Sequence, residues 1–350
     1  MPHSNDNTTV LLLSLVIIFP FIHVASSETQ FPCFFIFGDS LVDNGNNNDL
    51  ETTAKVDYLP YGIDFPAGPT GRFNNGRNLV DFIAERLGFD KPIPPFLTAT
   101  DDDILGGVNY ASGGAGILDE SGVIFGDVIT LNEQLRNHEV AISRLATLLG
   151  SKKEAKRRLN SCLYYVGMGN NDYLGNYMPQ YYDSTTHYTP EQFASVLIRQ
   201  FSKQLRWLYK NGARKVAVLG LGQIGCIPQQ IVTYGNSTGC AAATNDAVVF
   251  FNDKLKLLLD KLNFLLPGAR FHYVSDNPSY GNITEVGTPC CEVSAERLGH
   301  CVVGGAACTN RDEYYFWDWY HPTEAATLLS ADTVYDSMAP LFAPLGLDVS

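Results

Sequence analysis

The stretch Cys33-Phe-Phe-Ile-Phe-Gly-Asp-Ser-Leu41 joins an apolar run to a polar turn. A short apolar run that ends at a glycine predicts a strand buried on both faces. Four further runs of this kind follow along the chain: Gly107 to Ala111, Leu163 to Gly167, Lys215 to Leu219 and Arg270 to Ser275. Strands of this type are typical of a parallel sheet with helices on both sides.

Segments with helical periodicity alternate with these runs. They are Asn78 to Leu87, Leu131 to Leu149, Pro190 to Tyr209, Asp246 to Leu266 and Pro322 to Ser337, the last with Pro322 in its first turn. The alternation predicts a three-layer α/β/α sandwich. One domain over residues 28–350 accounts for the chain, with two irregular inserts at Asp43 to Phe73 and Gly281 to Asn310.

The composition excludes several classes of partner. The 350 residues are 45% hydrophobic and only 17% charged, which provides enough apolar material for a large core. The formal net charge of -13 opposes binding to polyphosphates and to anionic membrane surfaces. We therefore expect no nucleic-acid partner.

Residues 1–27 have the layout of a cleaved secretory signal, although no Lys or Arg precedes the apolar run Leu11 to Phe21. The alternative is a membrane anchor, but about 11 apolar residues fall short of the roughly 20 that span a bilayer. We expect no stable membrane insertion and a secreted mature chain that starts near Glu28. Asn236 and Asn282 head sequons and are expected to carry glycans on exposed loops.

Eight cysteines follow residue 27, and the oxidising secretory route makes disulfides their expected state. Four of them lie near His300: Cys290, Cys291, Cys301 and Cys308. Their spacing lacks the paired pattern of a zinc site. We expect neither a metal site nor a free reactive thiol.

Ser40 follows the first predicted strand, at the edge of the sheet where open α/β proteins bind ligands. A serine hydroxyl at this edge is a candidate nucleophile if a base activates it. The alternative is that Ser40 caps a helix that follows directly.

His321 is the best placed base among the five histidines that follow residue 27. It lies just before the last predicted helix, and Asp318 precedes it by three residues, close enough to orient its imidazole. The alternative is that Asp318 and His321 both cap that helix. The remaining histidines are His138, His187, His272 and His300.

Two loops could donate hydrogen bonds to the oxyanion that forms during acyl transfer. Ala111-Ser-Gly-Gly-Ala-Gly116 follows the second predicted strand and offers backbone amides. Gly169-Asn-Asn-Asp172 follows the third and offers an asparagine side-chain amide. Four chemically matched segments thus lie where a ligand would bind.

Gly220-Leu-Gly-Gln-Ile-Gly225 matches the dinucleotide-binding pattern and follows a strand. Pro228 comes three residues later, however, where the phosphate-binding helix should already be running, and an extracellular protein meets no dinucleotide pool. We expect this segment to form a tight loop at the rim of the site. A Cys226–Cys240 disulfide would hold the loop in place.

The chain resembles the plant GDSL esterase/lipase family within the SGNH hydrolases. The blocks that carry the resemblance, in order and spacing, are Phe37 to Asn48, Asn109 to Gly116, Gly169 to Asp172 and Asp318 to Pro322. The resemblance covers nearly all of residues 33–340. It implies a flavodoxin-like α/β/α fold.

The resemblance also implies roles for individual residues. Ser40 would be the nucleophile, and Asp318 and His321 would complete the triad. The oxyanion hole would consist of the Ser40 amide, a glycine of the second block and Asn171. Gly113 is our expectation for that glycine, and Gly114 is the alternative.

The resemblance implies that the protein hydrolyses small-molecule carboxylic esters through an acyl-enzyme. The substrate would be an acyl lipid, or an acetylated or phenolic ester. The resemblance also implies that the protein acts in the apoplast or cell wall. It implies no need for a cofactor. The alternatives are acyl transfer by the same acyl-enzyme and a catalytically idle binding or chaperone-like protein; the intact triad argues against the latter. Aromatic residues could line the cleft or belong to the core: Tyr173, Tyr177, Tyr181, Tyr182, Trp317, Trp319 and Tyr320.

Overall fold

The computed structural model describes Met1 and residues 29–177, 187–235, 239–275 and 280–343. Four strands form its main sheet: β1 Phe34–Gly38, β2 Leu163–Gly167, β3 Lys215–Leu219 and β4 Arg270–Val274. They pair side by side in that order, and every pair is parallel. The sheet therefore places the carboxyl ends of its strands along one edge, as a ligand site in this class of fold requires.

The predicted strand Gly107 to Ala111 runs beside β1, but it forms only isolated bridges, from Asn109 to Ile36 and to Pro95. The pairing is incomplete at Gly38, because the Gly38 N–H donates to the Gln134 side chain instead of to this segment, although the Gly38 carbonyl still accepts from the Ser112 N–H. If the segment Gly107 to Ala111 is counted as a strand, it lies beside β1 on the side away from β2. The strand order is then that of a flavodoxin-like sheet. The predicted fold class is confirmed. The prediction that Gly107 to Ala111 forms a complete strand is wrong.

The helices agree with the predicted segments, apart from their ends and three short additions, α2, α4 and α6. Their bounds are α1 Leu79–Arg86, α2 Asp101–Gly106, α3 Leu131–Leu148, α4 Lys152–Ser161, α5 Pro190–Lys210, α6 Pro228–Tyr234, α7 Ala242–Leu265 and α8 Glu324–Ser337. Pro322 is outside α8, which corrects the expectation that it lies in the first turn. The Thr323 hydroxyl accepts a hydrogen bond from the Ala326 N–H and is the N-cap.

The sheet is buried on both faces, as the apolar runs predict. Phe35 and Phe37 of β1 pack into one cluster of buried residues, with α3, α5 and α7. Phe34 and Ile36 point to the other side and pack with α1 and α8. Because neighbouring residues of a strand face opposite sides, this division makes the three layers of the sandwich.

The two inserts pack against each other. The first, Asp43 to Phe73, is irregular, as predicted. The second carries small strands that the sequence did not predict: β5 Glu285–Pro289, β6 Val293–Ser294 and β7 His300–Cys301, with β8 Tyr314–Phe316 following the insert and pairing with β5. A third buried cluster joins the inserts around Tyr61 and Trp317.

All eight cysteines are paired, which confirms the disulfide prediction. The pairs are Cys33–Cys162, Cys226–Cys240, Cys290–Cys308 and Cys291–Cys301. The first ties β1 to the start of β2, and the last two close the second insert. Within the described ranges, no helix is both long and apolar enough to cross a bilayer.

Candidate active site

Ser40 lies two residues beyond the end of β1, in a turn at the carboxyl edge of the sheet. The Asp39 carboxylate shapes this turn by accepting from the Leu41 N–H at 3.0 Å. Gly38 is needed before it, because a Cβ there would lie 2.5 Å from Val42 Cγ2. The next described helix after Ser40 is α1, which begins at Leu79, so Ser40 is not a helix cap.

Ser40, His321 and Asp318 form a hydrogen-bonded chain. Ser40 Oγ is 2.8 Å from His321 Nε2, and His321 Nδ1 is 2.9 and 2.8 Å from the two Asp318 carboxylate oxygens. An ionised carboxylate can only accept, so Nδ1 carries the proton and Nε2 accepts from the serine hydroxyl. This is the tautomer in which a histidine can remove the proton of a serine nucleophile.

The loop between β8 and α8 holds the Asp318 carboxylate in place. Asp318 Oδ1 accepts from the backbone N–H groups of Tyr320 and His321, at 2.8 and 2.9 Å. Thr323, not Asp318 or His321, caps α8. The alternative that these two residues are merely helix caps is therefore wrong.

The environment keeps Asp318 ionised although its side chain is fully buried. Burial raises the pKa of this carboxyl, but the charge and hydrogen bond of His321, with smaller contributions from His300 and Tyr61, outweigh burial and lower the pKa below its ordinary value. An ionised Asp318 is the form that stabilises a positively charged imidazole.

Tyr61 is a partner of Asp318 that sequence analysis missed. Its hydroxyl donates to Asp318 Oδ2 at 2.6 Å and accepts from the Cys301 N–H at 3.1 Å. Tyr61 is fully buried, and burial next to the Asp318 charge raises its pKa well above the ordinary value. The tyrosine therefore stays neutral and acts as a fixed donor to the carboxylate.

Replacing Tyr61 by Phe is expected to lower kcat about tenfold, a loss equivalent to about 1.4 kcal/mol of transition-state stabilisation. The carboxylate loses a donor, so the pKa of Asp318 rises and the Asp318–His321 pair holds its proton more tightly. The acid limb of the pH profile of kcat/KM should move to higher pH.

Tyr58→Phe is the matched control, because Tyr58 lies in the same insert but its hydroxyl bonds the Cys301 carbonyl and Arg297. It should lose comparable stability with an unchanged pH profile. Identical profiles for Tyr61→Phe and wild type would rule out the positioning role.

Buried asparagines connect the first block of the sequence to the second. The Asn46 carboxamide donates to the carbonyls of Asn109 and Ala111 at 2.9 and 2.8 Å. The Asn47 carboxamide donates to the Gly113 carbonyl at 3.0 Å. These contacts hold the glycine loop in place through its backbone carbonyls.

The two glycines of that loop have different partners. The Gly113 N–H donates to Asp43 Oδ2 at 3.0 Å, whereas Gly114 lines the cavity that contains Ser40. Gly114 also has a positive φ of 83°, a conformation that favours glycine. The amide that we expected to face the substrate, that of Gly113, is thus already bonded inside the protein.

The third block contributes two asparagines and a buried aspartate. Asn170 donates to Asp39 Oδ2 at 3.1 Å, and Asn171 donates to the Ala115 carbonyl at 2.9 Å. Both line the cavity. Asp172 accepts from the N–H groups of Ile117 and Leu118, and burial raises its pKa to about 6. It anchors the loop on which Asn171 lies.

His300 is a second histidine beside the site. Its ring stacks on that of His321 with centroids 6.1 Å apart, and it lines the same cavity. Burial lowers the pKa of His300 to about 4, and the charge of His321 contributes to the lowering. Above that pH His300 is neutral and adds no positive charge beside the imidazolium of His321.

A cavity of about 610 Å³ opens at Ser40 and His321. Near these residues its wall includes Leu41, Phe125 and Leu174, and it continues to Ile231 of α6 and Val286 of β5. Most of these lining side chains are apolar, which suits a cavity for an apolar group.

The aromatic residues and the glycine-rich loop divide between cavity and core. Trp319 and Tyr320 line the cavity. Tyr173, Tyr177 and Trp317 are buried in the core, while Tyr181 and Tyr182 lie outside the described residues. The loop from Gly220 to Gly225 contributes Gly222 and Ile224 to the rim, and a disulfide joins Cys226 to Cys240, as expected.

Comparison with known proteins gives concordant results. The sequence profile of the GDSL-like Lipase/Acylhydrolase family matches residues 34–334. Among similar proteins, one GDSL esterase/lipase from Arabidopsis thaliana is 44% identical over 336 residues, 92% of each chain. Another from the same plant is 46% identical over 322 residues, 88% of each chain.

A solved structure described as the active site of a carbohydrate esterase aligns with a TM-score of 0.37 and 10% identity, covering 90% of this chain and 71% of that one. A likeness at this level carries no information on substrate. The family profile and the relatives confirm the predicted family and enzyme class: this chain belongs to the GDSL-like lipase/acylhydrolase family, whose members are hydrolases of ester bonds.

Proposed function

We propose that the protein hydrolyses carboxylic esters through an acyl-enzyme formed on Ser40. His321 removes the serine proton as Ser40 Oγ attacks the ester carbonyl, and later delivers it to the departing alcohol. Asp318 holds the imidazole in the required tautomer and stabilises its charged form. The observation that carries this proposal is the 2.8 Å contact between Ser40 Oγ and His321 Nε2 at the mouth of the cavity.

The oxyanion hole, in this proposal, consists of the Ser40 N–H, the Gly114 N–H and the Asn171 side chain. Gly114 replaces Gly113 because the Gly113 N–H already donates to Asp43. One N–H of the Asn171 carboxamide donates to Ala115, which leaves the second for the substrate oxygen. Both residues line the cavity on which Ser40 opens.

Replacing Asn171 by Ala is expected to lower kcat about 10² to 10³-fold, the usual effect of removing one oxyanion donor. KM should change little, because the donor acts mainly on the charge of the transition state. Asn170→Ala is the comparison variant, because Asn170 lines the same cavity and also donates one N–H, to Asp39, whereas the family pattern Gly-x-Asn-Asp places the donor at Asn171; we expect a loss below about tenfold. Equal losses in both variants would contradict the assignment of the donor to Asn171.

The substrate that we propose is an ester with an apolar acyl chain. The apolar wall from Leu41 to Ile231 and Val286 supports this choice, because it continues from the nucleophile as one cavity. A chain-length series of nitrophenyl esters tests it, run beside acetylated polysaccharide and triglyceride. We expect kcat/KM to rise with chain length; a preference for acetyl esters in every assay would contradict the proposal.

We also propose that the protein is secreted as one catalytic domain, residues 28–350, after removal of residues 1–27. The four disulfides support an oxidising destination. The signal segment and the Asn236 sequon lie outside the described residues, whereas Asn282 is exposed and open to glycosylation. N-terminal sequencing of the secreted protein should begin near Glu28, and retention of residues 1–20 would contradict secretion by this route.

A further inference from the structure

His300 is a buried histidine of the cavity wall that the proposed mechanism does not use. It is the first residue of β7 and only 3% exposed, yet it lines the cavity that contains Ser40. Its ring centre lies within 6.1 Å of the centres of four other rings, those of Phe73, Phe125, Tyr320 and His321. The imidazole of His300 thus lies among aromatic rings, next to the proposed catalytic base.

The two ring nitrogens of His300 have different surroundings. Nδ1 is 2.8 Å from the Arg297 carbonyl oxygen, which can only accept, so Nδ1 carries the proton. Burial lowers the pKa of His300 to about 4, so at neutral pH the ring is uncharged and Nε2 is a bare acceptor. Among the described residues, Nδ1 is the ring nitrogen that has a hydrogen-bond partner, and Nε2 has none.

Nε2 of His300 is accessible from the cavity. In the described ranges, four buried side-chain atoms are sealed from solvent without a partner, and His300 Nε2 is not one of them. The backbone on both sides of the ring is held in place. The Gly299 carbonyl accepts from the Trp319 N–H at 3.2 Å, and the Cys301 N–H donates to the Tyr61 hydroxyl at 3.1 Å. A fixed acceptor that is open to a cavity favours a ligand with a matching donor.

We propose that His300 Nε2 accepts a hydrogen bond from a free hydroxyl on the alcohol part of the ester, and so favours monoesters of diols or polyols. This inference rests on the proposed function, in which His321 gives a proton to the departing alcohol oxygen. That oxygen must therefore lie close to His321, whose ring centre is 6.1 Å from that of His300. Two hydrogen bonds of about 2.8 Å, one at each ring, and the two-carbon bridge of a 1,2-diol cover this separation.

The acyl part of the substrate is a less suitable source of this hydroxyl. The proposed mechanism bonds it to Ser40, and the cavity offers it the apolar wall that continues to Ile231 and Val286. The alcohol part is the one that His321 protonates, and the His321 ring stacks on that of His300. Because the alcohol leaves before water attacks, its hydroxyl should affect formation of the acyl-enzyme and not its hydrolysis.

A matched pair of esters tests the proposal. The 2-hydroxyethyl and n-propyl esters of one fatty acid differ only by a hydroxyl in place of a methyl group. We expect wild-type kcat/KM to be about tenfold higher for the hydroxyethyl ester, the usual gain from one hydrogen bond between neutral groups. The two alcohols also differ slightly as leaving groups, so the decisive quantity is how the ratio of the two kcat/KM values changes between variants.

Two variants of His300 separate the loss of the acceptor from a change of shape. In His300→Asn the carboxamide reaches the position of Nδ1 but not that of Nε2, so the ratio should fall about tenfold. His300→Gln is one methylene longer, brings a carboxamide oxygen near the position of Nε2, and should keep most of the ratio. His272→Asn is the control, because His272 lies on β4 and is not part of the cavity wall. It should keep the wild-type ratio.

The possible outcomes distinguish this inference from the proposed function. Hydrolysis of both esters with the same ratio in wild type and His300→Asn would overturn this inference alone. A wild-type preference for the propyl ester of a 3-hydroxy fatty acid over that of the unsubstituted acid, lost in His300→Asn, would also overturn it, because His300 would then recognise the acyl part. Hydrolysis of neither ester would overturn the proposed function and this inference with it.

Discussion

Replacing either Ser40 or His321 by alanine is expected to lower kcat for ester hydrolysis by about 10⁶-fold, and replacing both should cost little more. In the proposed mechanism the two side chains act as one unit, joined by a 2.8 Å hydrogen bond, so either loss would remove the same activated nucleophile. The measurement is kcat for a nitrophenyl ester with the two single variants and the double variant.

Ser143→Ala is the matched control for these variants. Ser143 lies on α3, and its hydroxyl donates to the Glu139 carbonyl within that helix. This variant should keep wild-type kcat. Losses that multiply in the double variant would show that Ser40 and His321 act independently, contrary to the proposed mechanism.

The second large effect is expected at Asp318. Asp318→Asn keeps the shape of the side chain and an oxygen for the N–H groups of Tyr320 and His321, but it removes the charge. The amide favours the wrong imidazole tautomer, so kcat should fall about 10⁴-fold with little change in KM. Wild-type kcat in Asp318→Asn would exclude the carboxylate from catalysis.

Asp332→Asn is a suitable comparison for that variant. Asp332 lies on α8 and pairs with Arg86 at the surface, where the loss of one ion pair contributes little. Its kcat should equal that of wild type. An NMR spectrum of the imidazole protons should separate the two variants, with a change only in Asp318→Asn.

The sequence predicted the fold and the central contacts of the site for identifiable physical reasons. Apolar runs mark buried strands because a doubly covered sheet has no polar face, as β1 illustrates. The sequence indicates that Ser40 and His321 meet because both follow strands or precede a helix at the sheet edge, although they are 281 positions apart in the chain.

Three features depend on tertiary contacts that periodicity does not encode. The pairing of β1 with the segment Gly107 to Ala111 is incomplete because Gln134, a residue of α3, accepts from the Gly38 N–H. Tyr61 reaches Asp318 across 257 residues of sequence, from an insert without regular structure. The preference for Gly114 over Gly113 in the proposed oxyanion hole depends on Asp43, whose carboxylate already accepts from the Gly113 N–H.

The most direct test of the central claim is to map the adduct of an organophosphonate ester probe by mass spectrometry. Such a probe forms a covalent bond with an activated serine oxygen and loses its leaving group. The proposed mechanism predicts one adduct per chain on the peptide that contains Ser40, slower labelling of Asn171→Ala and none of Ser40→Ala. An adduct on another residue, or labelling of Ser40→Ala at the wild-type rate, would contradict it.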